Sequence, residues 1–398
     1  MSKEQSTKHQ KLAPPTMRIR LFALLNLVLL ACLSAWLWQQ QQPVNLQDVS
    51  LGDNQKLQCV SYSPYYLDGQ SPLDPYAFIS SAQIDQDLKT LAQQFNCVRI
   101  YSVGQGLDYV PKAAQALGMQ VYLGAWIGWI KSQNDKELDL AIRVANQYPN
   151  TVKALVVGNE VLLRGEQSET ALQAYLTKAR QSTQVPVTYA DVWEFWRKHP
   201  ALESQVDFIT VHILPYWEDT PQSIANAVSH TENIMSILQH EFKKPILIGE
   251  TGWPSMGRQR QASEPSLINQ AQYLRSFLNL AHQQGWQYNL IEAIDQPWKR
   301  TLEGTVGGYW GIYNTQLAPK FAFTGPVQPR SDGWYPLVYA GFTSLLCLGL
   351  GLVLRIRTLP VLAAIVSLGS LIGINTYLQI EYLTVACQNG SQWLALAG

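Results

Sequence analysis

ILIGETGWPS, residues 246–255, is an apolar run that stops at a glycine and is followed at once by a carboxylate, a tryptophan and a proline. Pro245 to Gly249 reads as a short buried strand, with Glu250 at its carboxyl end and a turn starting behind it. ALVVGNE, residues 154–160, repeats the design: a buried strand, a glycine, then Asn159 and Glu160. A carboxylate so placed faces a cleft. Two of them at strand ends suit glycoside chemistry, in which one protonates the leaving oxygen and the other attacks or activates water.

Outward from this pair the chain alternates between strand-like and helix-like segments. The strand pattern covers Leu57 to Ser63, Asn96 to Ser102, Gln120 to Ala125, Val152 to Asn159, Pro186 to Ala190, Phe208 to His212, Pro245 to Glu250 and Gln287 to Ile294. Between them, Ser81 to Phe95, Asp135 to Gln147, Ser168 to Arg180, Pro221 to Gln239 and Pro265 to Gln284 read as helices, with Pro or Ser near the starts. Eight strands alternating with helices predict a (β/α)₈ TIM barrel, an α/β fold whose chemistry sits at the carboxyl ends of its strands. Glu160 and Glu250 would end the fourth and seventh. Trp126, Trp193, Trp217, Trp253 and Trp298 each follow a predicted strand end, so the spacing places a ring of aromatic faces at one mouth, suited to stacking on sugar rings.

The chain has 398 residues, 47% of them hydrophobic and only 15% charged. Part of that imbalance lies in three stretches free of charge, 21–38, 336–354 and 359–380, each close to the ~20 residues that cross a bilayer as a helix. Residues 1–20 carry five basic groups (Lys3, Lys8, Lys11, Arg18, Arg20) against Glu4, and Arg355 and Arg357 lie between the second and third stretches. Basic residues stay on the cytoplasmic side. The domain reading is therefore a cytoplasmic tail (1–20), a membrane helix (21–38), a linker (39–56), the barrel (57–330), two further membrane helices (336–354 and 359–380) and a non-cytoplasmic tail (381–398). In this topology the barrel stands on the extracytoplasmic face of the cell membrane. Two other readings of the first stretch stay open, a cleaved leader and a lipid-modified Cys32 in Leu29-Leu30-Ala31-Cys32. The middle of the chain is mildly acidic, which argues against a nucleic-acid partner.

Of five cysteines, only Cys59 and Cys97 belong to the barrel. If Tyr62 and Tyr101 both point into the mouth, strand alternation turns Cys59 outward and Cys97 inward, which argues against a bridge. No His/Cys cluster has metal-ligand spacing, and no metal or organic cofactor is called for. Arg99 inside an apolar strand reads equally as an ion-pair partner or a ligand, and His212 as a residue that orients a carboxylate or fills the barrel.

VGNE (157–160), GETGWPS (249–255) and EAIDQPWK (292–299) together resemble glycoside hydrolase family 17, the β-1,3-glucanase family. The likeness runs from Leu57 to Tyr313 and includes SYSPY (61–65), VRIYS (98–102), VHILPYWE (211–218) and GGYWGIY (307–313). The family's members are (β/α)₈ barrels with a retaining mechanism, and these features look most like a bacterial, membrane-tethered branch that includes β-1,3-glucan glucosyltransferases. The resemblance implies Glu160 as general acid/base, Glu250 as nucleophile and Asn159 as the partner of the sugar at the cleavage point. It implies Glu292 and Lys299 as further polar groups of the cleft and Tyr62, Tyr101, Tyr216 and Trp253 as substrate-lining aromatics. Asp295 and Gln296 stand where plant members carry an acidic pair, and Ile294 where they carry a Phe.

The resulting expectation is a membrane-anchored enzyme acting on β-1,3-glucan or its oligosaccharides, leaning to glucosyl transfer over hydrolysis. The rival readings are an endo-hydrolase, a glucan-binding module on an inactive barrel, and an accessory subunit of a membrane glucan synthase or exporter.

Overall fold

The computed structural model describes residues 15–50, 56–330 and 332–397. The N-terminal basic residues Lys3, Lys8 and Lys11 with Glu4, and positions 51–55 of the linker, lie outside the described residues. The chain divides into two units, Asn45–Val327 and, separately, Met1–Val44 with Gln328–Gly398.

The second of these units starts with helix α1 (Pro15–Gln40). The first unit then runs β1 (Leu57–Ser61), α2 (Ser81–Leu91), β2 (Phe95–Arg99), α3 (Val110–Ala116), β3 (Gln120–Ala125), α4 (Lys131–Gln147), β4 (Val152–Asn159), α5 (Glu169–Ser182) and β5 (Val187–Val192). It continues with α6 (Trp193–Lys198), β6 (Ile209–His212), α7 (Ile224–Glu241), β7 (Ile246–Thr251), α8 (Leu267–Gln284), β8 (Gln287–Leu290) and the short α9 (Arg300–Glu303). The eight strands are parallel and close into one barrel in sequence order. The expected TIM barrel is the observed fold.

Local chemistry accounts for the helix starts. Ser80, Ser168 and Ser266 cap α2, α5 and α8, each side chain accepting a backbone N–H three residues on, at 3.2, 3.2 and 3.0 Å. Gly285 ends α8 in the left-handed conformation, φ 67°. The outward faces of the strands, with Val60, Val98, Leu123, Val157, Val211 and Ile248, pack under the helices in one large core. An inner layer of Cys59, Cys97, Tyr122, Ala154, Val156, Ala190 and Leu247 fills the barrel.

Two expectations need correction. The eighth strand ends at Leu290, not Ile294, because the backbone beyond it bonds to the 310–313 segment: Ile312 N to Glu292 O at 2.8 Å and Tyr313 N to Ala293 O at 2.8 Å. The end of the GGYWGIY signature thus pairs with EAIDQ, in an isolated bridge of Ile294 with Tyr313. Gly311 is required there, since a Cβ would lie 2.1 Å from the Asp295 nitrogen. The second correction is that Cys59 and Cys97 form a disulfide. Both face inward, because Tyr62, from which the phase of β1 was counted, points out of the barrel and donates its hydroxyl to Asp87 on α2 at 2.7 Å.

The other unit holds α1, α10 (Tyr335–Val353), α11 (Leu359–Ala386) and α12 (Gly390–Ala397). Helices Thr16–Gln40, Tyr335–Val353 and Leu359–Ala386 are long and apolar enough to cross a membrane. Helices α10 and α11 are joined by hydrogen bonds from Thr343 Oγ1 to Gly369 O and between Ser344 and Ser370, each 2.6 Å. The third helix continues to Ala386, so the stretch expected as a tail from 381 begins inside it.

Candidate active site

Both motif glycines are there for space. Gly158 has φ 82°, and a Cβ on it would sit 2.6 Å from Val161 Cγ2; a Cβ on Gly249 would meet Thr210 Cγ2 at 2.4 Å and Arg99 Nη1 at 3.4 Å. β4 breaks register between Val156 and Asn159, and Glu160 then takes φ 54°, a left-handed backbone that costs a non-glycine residue about 1–3 kcal/mol and is held only where its surroundings over-determine it. Those surroundings are visible. Buried Asp191 accepts from Tyr189 OH, from Val192 N at 2.8 Å and from Leu163 N at 3.4 Å, while Tyr189 OH accepts from Leu162 N at 3.0 Å.

The result brings Glu160, from the end of β4, to Glu250, on β7, with His212 of β6 between them. One carboxylate oxygen of each and a His212 ring nitrogen all lie within 4.8 Å of one another. Glu250 Oε1 accepts from Tyr101 OH at 2.8 Å and from Arg99 Nη1 at 3.2 Å. Arg99, 1% exposed, also donates from Nη1 to Gly249 O at 2.7 Å and from Nη2 to Asn159 Oδ1 at 2.6 Å. Ser61 Oγ lies 2.8 Å from Tyr101 OH, and Asn289 Nδ2 donates to Ser61 Oγ at 2.7 Å and to Gly249 O at 2.9 Å. Burial and the charge of Glu250 hold the Tyr101 phenol well above its ordinary pKa, so it serves as a proton-bearing donor.

His212 reaches Glu160 Oε1 from Nδ1 at 3.0 Å and Arg99 Nη1 from Nε2 at 3.3 Å. A guanidinium only donates, so in the neutral ring Nε2 accepts from Arg99 and the Nδ1 proton goes to Glu160. Arg164 lies 4.4 Å over the Trp126 ring, pairs with Glu166 at 2.7 Å and approaches Glu160 Oε2 to 3.8 Å. Burial pushes the Glu160 carboxyl up, but the hydrogen bond from His212, with the charges of Arg164 and Arg99, outweighs it, and the net direction is down.

A second ion pair flanks the first group. Lys299 Nζ lies 3.0 Å from both carboxylate oxygens of Glu292. Burial pushes Glu292 up to about 7 against the pull of Lys299, while Lys299, opposed by burial, is raised by Glu292 and Glu303. Asp295 is held by Lys320 at 2.9 Å and by Gly311 N at 2.9 Å. Gln296 accepts the Trp298 indole N–H at 2.7 Å and so fixes that ring.

Tyr101, Asn159, Glu160, His212, Glu250 and Lys299 line one cleft of about 1290 Å³, whereas Glu292, expected there, is fully buried and does not border it. Trp126, Trp193, Trp217 and Trp298 of the expected ring border it; Trp253 does not, being fully buried with its indole N–H on Glu264 O at 3.0 Å. Tyr216 is buried too and donates to Arg258 O at 2.8 Å. It stands edge-on to Trp217 and Trp310, which stack at 6.4 Å and 13°. Tyr62 lies at the cleft's edge without exposed surface. Of the four aromatics expected to line the cleft, Tyr101 alone presents its hydroxyl to Glu250, while Tyr216 and Trp253 form a layer beneath. Sequence reasoning missed Trp129 and Trp310 on the cleft wall, Arg164, and the shared role of Arg99 and His212. The available signal was phase: Arg99 and Tyr101 lie two residues apart and face the same way.

Residues 59–311 match the BtgE/BtgC glycoside hydrolase domain family. The chain is 27% identical over 262 residues to "Probable beta-glucosidase btgE" of Aspergillus flavus, across 63% of this chain and 41% of that protein. It therefore spans about two fifths of that relative's length. It is 24% identical over 271 residues to a glucan 1,3-beta-glucosidase of Saccharomyces cerevisiae, across 61% of this chain and 85% of that one. Among solved structures it is similar to a glycoside hydrolase family 17 β-1,3-glucanosyltransferase from Rhizomucor miehei, with 26% identity, a TM-score of 0.58, and coverage of 66% of this chain and 95% of that one.

Proposed function

The chain belongs to the BtgE/BtgC glycoside hydrolase domain family, and from that premise we propose that it is a retaining enzyme of β-1,3-glucan that moves glucosyl units to sugar or water. The observation that carries the mechanism is the spacing of Glu160 and Glu250. One oxygen of each within 4.8 Å of the other is in keeping with the about 5–5.5 Å between the carboxyl groups of retaining pairs, against about 6.5–9.5 Å in inverting ones.

In this reading Glu250 attacks the anomeric carbon. Tyr101 and Arg99 both address Oε1, which leaves Oε2 as the attacking oxygen. Glu160 gives its proton to the departing glycosidic oxygen, and Asn159 holds the sugar at the cleavage point. The bond to Glu250 is then broken by an acceptor hydroxyl or by water, from which Glu160, now a base, takes the proton. Lys299 forms part of the cleft wall beside the pair, with buried Glu292 holding its ammonium. The substrate class is supported by the names of the yeast relative and the Rhizomucor neighbour, and the lean to transfer by the latter's naming as a glucanosyltransferase. Aromatic faces on several sides of the cleft suit an acceptor sugar that excludes water from the intermediate.

The location belongs to the same proposal. Three apolar helices anchor the chain in the cell membrane, and Arg355 with Arg357 keeps the α10–α11 turn on the cytoplasmic side, which puts the barrel on the extracytoplasmic face. The Cys59–Cys97 disulfide supports this, since such bonds persist in oxidising compartments. A glucan synthase or exporter is a partner to be tested by co-purification. The deciding experiment is incubation of the detergent-purified protein with laminarihexaose: products longer than the input, early in the reaction, support transfer. Shorter sugars alone, even at millimolar donor, make it a hydrolase, and no turnover removes the enzymatic reading.

A further inference from the structure

Cys59 of β1 and Cys97 of β2 are register partners joined by a disulfide inside the barrel, with Cα atoms 4.4 Å apart. Side chains two residues apart on a strand share a face. The next inward pair is therefore Ser61 and Arg99, themselves register partners. The surroundings of Glu250 hang on these two. Arg99 bonds Glu250 Oε1, Gly249 O and Asn159 Oδ1, and Ser61 lies 2.8 Å from the Tyr101 hydroxyl that donates to the same Oε1. The disulfide is thus one step below the residues that orient the nucleophile.

We propose that the Cys59–Cys97 bond is a positioning element of the active site, setting the β1–β2 separation on which the aim of Arg99 and Tyr101 at Glu250 depends. This rests on the reading of Glu250 as nucleophile. The argument is steric. Bonded sulfurs sit about 2 Å apart, whereas unbonded ones need roughly 3.5–4 Å. In a close-packed interior that difference must be absorbed by rotamers or by the strands themselves. Tyr122, Ala154, Val156, Ala190 and Leu247 fill the rest of the layer. Arg99 has little freedom to compensate, because its two terminal nitrogens are committed to four acceptors and the side chain is buried. Misplacement of a reacting array by about 1 Å can cost ~10²-fold in rate.

The test compares three proteins in detergent on laminarihexaose: the disulfide-bonded wild type, the same chain prepared as the dithiol (verified by alkylation and mass after unfolding), and Cys59→Ala/Cys97→Ala. The expected result is a tenfold or greater fall in kcat for the latter two with KM within twofold, and a matching fall in the rate at which a 2-deoxy-2-fluoroglucoside labels Glu250. A control, Leu172→Ala in α5, lowers Tm without touching this layer and should keep wild-type kcat, which separates positioning from lost stability. If the dithiol and the double variant both keep kcat within twofold, the positioning role is refuted. If neither folds, the bond is a folding staple and the proposal is likewise overturned. If the disulfide-bonded wild type does not turn over, the functional reading fails first and this inference with it.

Discussion

Arg99 Nη2 donates to Asn159 Oδ1 at 2.6 Å, and this one bond settles which way the Asn159 amide faces. With its oxygen committed to Arg99, its NH₂ group is the end offered to a substrate hydroxyl. Asn159→Asp keeps the Arg99 contact and removes the donor. We expect kcat/KM to fall about 10²-fold on a normal glucoside and to change little on the 2-deoxy analogue. Equal losses on the two substrates would mean that Asn159 shapes the site without touching that hydroxyl.

Glu250→Ala should lower activity by roughly a thousandfold or more. Azide, a small external nucleophile, should restore part of it and give the α-glucosyl azide, the anomer opposite to the substrate. Chromatography of the azide product with NMR of the anomeric proton checks this. Activity within tenfold of wild type, or rescue to the β-azide, assigns the nucleophile elsewhere.

The pH profile tests the tuning of Glu160. Burial raises its carboxyl, but His212, Arg164 and Arg99 bring it below its ordinary value. The acid form is needed for the first step and is lost as pH rises through that value, so the pKa sets the alkaline limb of kcat/KM. Removing the imidazole in His212→Ala should raise the Glu160 pKa and move the limb to higher pH. Arg164→Gln, whose charge lies farther away at 3.8 Å, should move it the same way by less. A limb that moves down or stays put rules out these residues as the cause.

Asp87 predicts a stability effect remote from the chemistry. Burial carries its carboxyl from 3.8 to about 6, although Tyr66 and Tyr62 donate to it. A raised folded-state value means the folded protein holds this proton more tightly than the unfolded chain. The contribution is full below about pH 4 and is lost as pH rises through about 6, in all ~3 kcal/mol. Asp87→Asn should therefore flatten the dependence of Tm on pH between 4 and 6, as read by calorimetry of the detergent-solubilised protein. An unchanged slope removes Asp87 from the account.

Reporter fusions test the topology. Fusions after residue 20 and in the Arg355–Arg357 turn should report cytoplasm, and one after Arg330 the outer side. A cytoplasmic report at Arg330 reverses the orientation.

Much of this architecture could be read from period and punctuation. Apolar runs ending in Gly158-Asn159-Glu160 and Gly249-Glu250 located two strand ends and, with the aromatic spacing, a mouth between them. What escaped was phase and partnership. The resemblance makes Tyr62 a cleft residue, but inward alternation in β1 falls on Cys59 and Ser61, and the phase counted from Tyr62 hides the disulfide. Tyr216 and Trp253 follow strand ends as Trp217 does, yet they turn inward to support it, because a loop can return a side chain to the core and sequence spacing does not record the return. Arg99 was legible as an oddity in an apolar strand. Its four acceptors come from three other strands, β4, β6 and β7, and could be assigned only in three dimensions.

The stack of Trp217 on Trp310, with Tyr216 edge-on to both, carries a thermodynamic consequence. An indole free to rotate loses side-chain freedom when a ring settles on it, a cost charged against affinity. Here the neighbouring rings have already fixed its rotamer in the folded protein. A sugar that arrives over Trp217 therefore meets a surface whose ordering was completed during folding, and more of the stacking energy remains to hold the glucan in place.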